Sequence, residues 1–240
     1  MKKVYLLSAI EGLLLGAAVF FFFLDKNGGP EGLRSKFLYA AQVREYHEQS
    51  EETSGSDHDR TFTDGRVGFL TVEGTNIEYP VMRDISDSYG NYFYLTHNYL
   101  GETDPSGCPF IRRSSGIDDD ILEVFAHNNS NGTMFADLEK FEEERFFNEY
   151  GIIRFDTGEC IREYRVISVF DVPVTNGGYT FFGWSNFPDE DTERGFIEQI
   201  SSISLFPSIR PDTGSQYLVL ITCEYSHEDG RRCVVAVRTL

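Results

Sequence analysis

LVLITCEYSHEDGRRCVVAV, residues 218–237, reads as two apolar strands joined by a polar loop. The aliphatic and β-branched run ends at Cys223, EYSHEDG carries the chain through a turn, and apolar residues resume at Cys233. Six other parts of the chain have related patterns. VGFLTV (67–72), NIEYPVM (76–82), NYFYLT (91–96), ILEVFAH (121–127), GIIRF (151–155) and EYRVISVFDV (163–172) precede QYLVLITC (216–223), and RCVVAVRTL (232–240) closes the series. Each is rich in β-branched or aromatic residues, and Gly, Asp, Asn and Ser clusters separate them. MFADLEKFEEERFFNEY (134–150) and DEDTERGFIEQISSI (189–203) are helical in character. Many short strands with few helices predict a mainly β fold, a closed or nearly closed barrel with helical insertions.

The N-terminal end has a different character. Val4 to Leu24 is apolar except for Glu11, and a helix of this length spans roughly 30 Å, the thickness of a hydrocarbon core. Lys2 and Lys3 precede it, which predicts a single-pass anchor with its N-terminus in the cytoplasm and the remainder outside. A cleaved signal peptide is the alternative, but no small-x-small site follows Phe20–Phe23. Residues 1–25 are read as cytoplasmic tip and transmembrane helix. Residues 26–65 form an amphipathic helix (31–49, with Leu33, Phe37, Ala40, Ala41 and Val43 as its apolar stripe) and a polar linker, and residues 66–240 form the β domain.

The chain has 21 Lys+Arg against 39 Asp+Glu, a net charge of −18, and residues 1–25 carry equal numbers of each sign. The acidity therefore belongs to the exported part. It argues against nucleic acid and against electrostatic attachment to anionic lipid, since both need a basic stripe. The four Cys form no C-x-x-C, and Asp118–Asp120 and Asp189–Asp191 lack the spacing of a calcium loop, so neither metal nor cofactor is expected.

Cys223, where a buried strand meets a polar loop, has the rigidity and access a nucleophile needs. A thiol also needs a base or cation, because only the thiolate attacks. His127 ends a strand in the same way, before NNSNG, and His227 lies in the loop after Cys223. Arg231 and Arg232 open the last strand, and since neighbours on a strand point to opposite faces, only one of them shares a face with Cys223. A Cys223–Cys233 disulfide in an exported binding module is the structural alternative. A papain-like thiol hydrolase is another.

Together these places resemble the sortase family, its class B members in particular. VFAHNNSNGTMFADLEKFEEERFF (124–147) is similar to the stretch around the family's catalytic histidine, and LVLITC to its L-x-T-C strand. IEYPVM and NYFYLTHNYLGETDPSGCPFI extend the likeness, which covers roughly residues 68–240. The N-terminal helix and a helix-bearing insertion (about 174–215) ahead of the cysteine strand look like class B. The resemblance implies an eight-stranded barrel with Cys223 as nucleophile and His127 as general acid/base. Arg231 follows as the oxyanion-binding group, since Ala236 lies where the pattern has a small residue five positions on. It implies a transpeptidase that cleaves a threonine-containing sorting signal and passes the acyl group to a cell-wall amine or pilin lysine. Thr222, Glu224 and Asn128 adjoin these positions as candidate substrate contacts. The sequence departs from the pattern at Phe125-Ala126 (usually Tyr-Gly), at Asn129 (usually apolar) and at Arg232 (often apolar).

Overall fold

The structure is a computed structural model, and it describes residues 28–52, 62, 65–85, 93–174, 179–225 and 229–239. The proposed membrane helix, Val4–Leu24, lies outside the described residues. No helix among the described residues is long and apolar enough to cross a membrane.

Eight strands close into a barrel: β1 (Arg66–Val72), β2 (Glu78–Arg83), β3 (Phe110–Ile111), β4 (Ile121–Phe125), β5 (Ile152–Asp156), β6 (Ile161–Pro173), β7 (Tyr217–Glu224) and β8 (Gly230–Arg238). Their order round the barrel is β1-β2-β3-β4-β7-β8-β6-β5, and β5 returns to β1. β2 with β3 and β4 with β7 are parallel; the other pairs are antiparallel. The expected strand over 91–96 is not one: Phe93–Leu95 is a short 3-10 turn, and β3, two residues long, takes the barrel position instead. Its brevity hides it from any alternation pattern.

Alternate residues of β4, β7 and β8 serve two cores. Leu122 and Val124 of β4, Leu218 and Leu220 of β7, and Val234 and Ala236 of β8 pack with residues of the other strands inside the barrel. On the outer face Val219, Ile221, Cys233 and Val235 form a second core with Phe196, Ile197 and Ile200. Those last three belong to the insertion helix Glu190–Ser202, whose Asp189 side chain caps it by accepting from the Thr192 N–H at 2.8 Å. With both faces covered, β7 is buried from Tyr217 to Thr222, which is why it reads as a continuous apolar run. The segment 134–150 folds as a 3-10 stretch, Ala136–Glu142, followed by a short helix, Glu144–Glu149.

Helix α1 (Gly29–Glu52) begins earlier and ends later than the expected 31–49, and it docks through an unexpected face. Ser35, Tyr39 and Gln42 are buried, at spacings of four and three, whereas Phe37 is 69% exposed. Of the expected stripe, Phe37, Ala40 and Ala41 are exposed and Leu33 and Val43 half-buried, and two tyrosines do much of the docking. Tyr39 donates to the Gly107 carbonyl at 2.6 Å and meets Tyr79 edge to face; Tyr46 stacks on Phe69 and donates to Asp156 at 3.0 Å. Each ring offers apolar area and a polar tip that reaches a partner. Tyr39→Phe strands the buried Gly107 carbonyl, and chemical denaturation is expected to show a loss of about 1–3 kcal/mol.

Candidate active site

The register of three strands brings the sequence-predicted residues together. Phe125 of β4 pairs with Ile221 of β7, and the ladder extends one step further as the Ala126 N–H donates to the Ile221 carbonyl at 3.2 Å. His127, two residues past Phe125, is thus level with Cys223, two residues past Ile221. On the other side of β7, Cys223 pairs directly with Arg231 of β8. Side chains two apart share a face, so His127, Cys223 and Arg231 stand side by side on the outer face of β4, β7 and β8. All three line one cleft of about 230 Å³, together with Leu95, Phe110, Arg112 and Phe182 among others.

The two arginines divide as strand alternation requires. Arg231 lines the cleft, and its guanidinium donates to the Gly230 carbonyl at 2.8 Å. Arg232 points the other way and is 3% exposed. It donates from Nε and Nη2 to the Asp171 carboxylate at 2.9 and 2.7 Å, and lies 2.5 Å from Glu142. Burial works against its charge, but the Asp171 hydrogen bonds and the two carboxylates outweigh this and raise its pKa. Arg232 thereby ties the turn before the Glu144 helix to β6.

His127 is held by backbone. Its Nε2 donates to the Leu95 carbonyl at 2.8 Å; a carbonyl only accepts, so Nε2 carries the proton and Nδ1 is the basic nitrogen. Gly107 has φ +67°, and a Cβ there would lie 2.6 Å from the Tyr94 carbonyl oxygen, 3.0 Å from that of Leu95 and 3.2 Å from His127 Cδ2. Only glycine fits this left-handed, crowded position beside the imidazole. The sequence reading missed Leu95 and Gly107, since both act through main-chain atoms; the positive-φ glycine in DPSGCPF was the one available signal.

Asn128 is 8% exposed, and its side-chain amide is committed: Nδ2 donates to Glu139 at 2.7 Å and to the Cys223 carbonyl at 3.2 Å. Its own carbonyl accepts from the Tyr225 hydroxyl at 3.0 Å. Thr222 lines the cleft, with its hydroxyl donating to the Ala126 carbonyl at 2.9 Å. Glu224, half-buried, ends β7. His47, at 2.6 Å from Glu78, is remote on α1, and His227 lies outside the described residues.

The four cysteines are free. Cys233 pairs in register with Ile221 and Cys223 with Arg231, so a disulfide between the two is excluded by their offset along the ladder. Burial pushes the Cys108 thiol up to about 12. Cys233 is raised too, by burial first and then by Glu123 and Asp171. Both are inert core thiols, Cys160 is exposed and lies outside the cleft lining, and Cys223 is the thiol that lines the cleft.

A closed eight-stranded barrel bearing a thiol, an imidazole and a guanidinium at one level of three neighbouring strands defines a cysteine transpeptidase of the sortase type. Scanned against models of known protein families, the chain matches none. It is 25% identical over 173 residues to sortase B of Listeria monocytogenes, across 70% of this chain and 67% of that protein. The structure of Clostridium perfringens sortase B matches with a TM-score of 0.67 and 28% identity, covering 74% of this chain and 96% of that one. A Staphylococcus aureus sortase B–substrate complex has the same fold, with a TM-score of 0.76 at 19% identity over 87% of this chain and 98% of that one. These likenesses support a class B sortase family for the chain.

Two substitutions test the groups that support the cleft from behind. Arg232→Met leaves Asp171 without its partner and is expected to cost about 2–3 kcal/mol in chemical denaturation. Asn128→Ala releases the Cys223 carbonyl and is expected to lower kcat about tenfold or more with KM little changed, measured with any peptide the enzyme turns over.

Proposed function

We propose that Cys223, His127 and Arg231 carry out acyl transfer from a threonine-containing sorting signal of an exported protein to an amine of the cell wall or a pilin lysine. The observation that carries this reading is their common level on β4, β7 and β8 within one cleft. The Cys223 thiol gives its proton to His127 Nδ1, and Sγ attacks the threonine carbonyl carbon. As the C=O bond opens, negative charge collects on the oxygen, where the Arg231 guanidinium offers fixed donors. Collapse of the tetrahedral intermediate breaks the C–N bond, and His127 returns the proton to the leaving amine. The acceptor amine then attacks the thioester, gives its proton to His127 and displaces Cys223 as a thiol.

The apolar side of the cleft, with Leu95, Phe110 and Phe182, favours amine over water by limiting solvent at the thioester. Thr222 and Glu224 flank the nucleophile on the substrate's path, and Asn128 supports the strand end that bears it. Val4–Leu24 serves as the single-pass anchor that holds this chemistry outside the plasma membrane.

Intact mass after incubation with threonine-containing sorting peptides tests the reading. Wild-type chain is expected to gain the mass of the N-terminal peptide fragment and to lose it on addition of amine, whereas Cys223→Ala gains nothing. Arg231→Ala is expected to slow acylation about 10²–10³-fold. Release of free acid at the same rate with and without amine would instead mark a thiol hydrolase.

A further inference from the structure

His127 is gripped from two sides by main chain, and a tyrosine stands behind each grip. On the imidazole side, Nε2 donates to the Leu95 carbonyl at 2.8 Å. The segment bearing that carbonyl is laced to residues 104–108. The Asp104 N–H donates to the Thr96 carbonyl at 2.9 Å, and the Cys108 N–H to that of Tyr94 at 2.8 Å. The Gly107 carbonyl lies in the same turn and accepts from the Tyr39 hydroxyl at 2.6 Å. On the main-chain side, the Phe135 N–H donates to the His127 carbonyl at 2.8 Å, and the neighbouring Met134 N–H to the Tyr79 hydroxyl at 3.2 Å. Met134 has φ +57°, in the left-handed region that a residue with a Cβ enters only at a cost. The bond from Tyr79 helps to hold a turn that backbone preference alone disfavours.

The two tyrosines also hold each other. Both are buried, and their rings meet edge to face with centroids 5.2 Å apart. Burial raises both hydroxyls, Tyr79 to about 12 and Tyr39 well above its ordinary value, so each keeps its proton. Neither residue lines the cleft. The turn that Tyr39 holds nevertheless reaches the imidazole, since a Cβ on Gly107 would lie 3.2 Å from His127 Cδ2. In so close a packing, movement of the turn is passed to the ring. Tyr46, later in α1, offers a contrast: it docks the same helix on Phe69 and Asp156, away from both turns.

We propose that Tyr39 and Tyr79 are positioning residues for the transfer reaction. Together they brace the turn that orients the His127 imidazole and the turn that holds its main chain. Without the Tyr39 hydroxyl the buried Gly107 carbonyl must find another donor, and the Leu95 carbonyl shifts with the turn. Nε2–H then loses its aligned acceptor, and Nδ1 loses its aim at the Cys223 thiol. The effect falls on proton transfer rather than on peptide binding, because neither tyrosine lines the cleft. The N-terminal helix therefore contributes to turnover as well as to stability. This inference rests on the transpeptidase reading above and names residues outside the cleft on which its rate depends.

The test compares Tyr39→Phe, Tyr79→Phe and Tyr46→Phe, each of which removes a hydroxyl and keeps the ring. Full-length chains are used at a temperature where circular dichroism shows all of them folded. Two readouts are taken: kcat and KM with a sorting peptide, and the NMR signal of the His127 Nε2–H proton in 15N-histidine-labelled chain. Wild type is expected to show that proton, slowed in exchange by its bond to Leu95. Tyr39→Phe is expected to lose the signal and to lower kcat about ten- to a hundredfold with KM little changed. Tyr79→Phe is expected to lower kcat in the same way, and Tyr46→Phe to lose stability while keeping the wild-type kcat and proton signal. Wild-type kcat in Tyr39→Phe or Tyr79→Phe, a change in KM alone, or an equal fall in kcat in Tyr46→Phe overturns the proposal. So does absence of the proton signal from wild type, which together with Tyr79→Phe keeps the test decisive where Tyr39→Phe does not fold. Acylation of wild-type Cys223, followed by intact mass, decides separately whether the transpeptidase reading stands, since the proton signal needs no peptide.

Discussion

The parallel pairing of β4 with β7 is the constraint on which the site depends. Residues 121–125 and 217–221 lie almost a hundred positions apart in the chain, and their register leaves His127 beside Cys223. A slip of one residue would turn every side chain of the strand to the opposite face, taking Cys223 off the face it shares with His127 and Arg231. The two cores prevent this. Leu218 and Leu220 must enter the barrel while Val219 and Ile221 meet the insertion helix, so burial on both faces fixes the level at which the strand ends present their polar residues. Precision at the nucleophile is thus a consequence of packing several residues away.

Around that frame, polar groups are spent on orientation. The Asn128 amide spans the ends of β4 and β7, the Leu95 carbonyl sets the imidazole tautomer, and Gly107 allows the main chain to approach the ring. The Tyr39 hydroxyl, from α1, holds the carbonyl of that same glycine. The N-terminal helix is therefore coupled to the histidine through a single tight turn, a physical reason for Tyr39 rather than Phe37 to face the barrel. Arg232 and Arg112 illustrate two uses of buried charge: the first binds Asp171 and Glu142 and joins secondary-structure elements, and the second remains in part open to the cleft.

The strand pattern was legible because half of each β-strand faces a core, and alternation or continuous apolarity records that directly. Yet the count of eight was reached with one wrong member. Phe93–Leu95 has the aromatic composition of a strand but folds as a turn whose carbonyl serves the histidine, while the two-residue β3 is too short to leave a pattern. The face of α1 was misread for a related reason: apolarity alone marks Phe37 as buried, but a tyrosine with a hydrogen-bond partner at its tip competes for the same role.

By itself the sequence determined the barrel class, the helical insertion, the thiol where a buried strand meets a polar loop, and the rule that Arg231 and Arg232 face opposite ways, because these follow from local periodicity and the geometry of one strand. Tertiary structure alone decided which arginine faces the thiol, which imidazole nitrogen is basic, that Asn128 supports rather than projects, and that Arg112 and Glu123 meet on the cleft wall. Each of these depends on register between strands distant in the chain, or on main-chain atoms that carry no residue identity, and neither is written in the order of side chains.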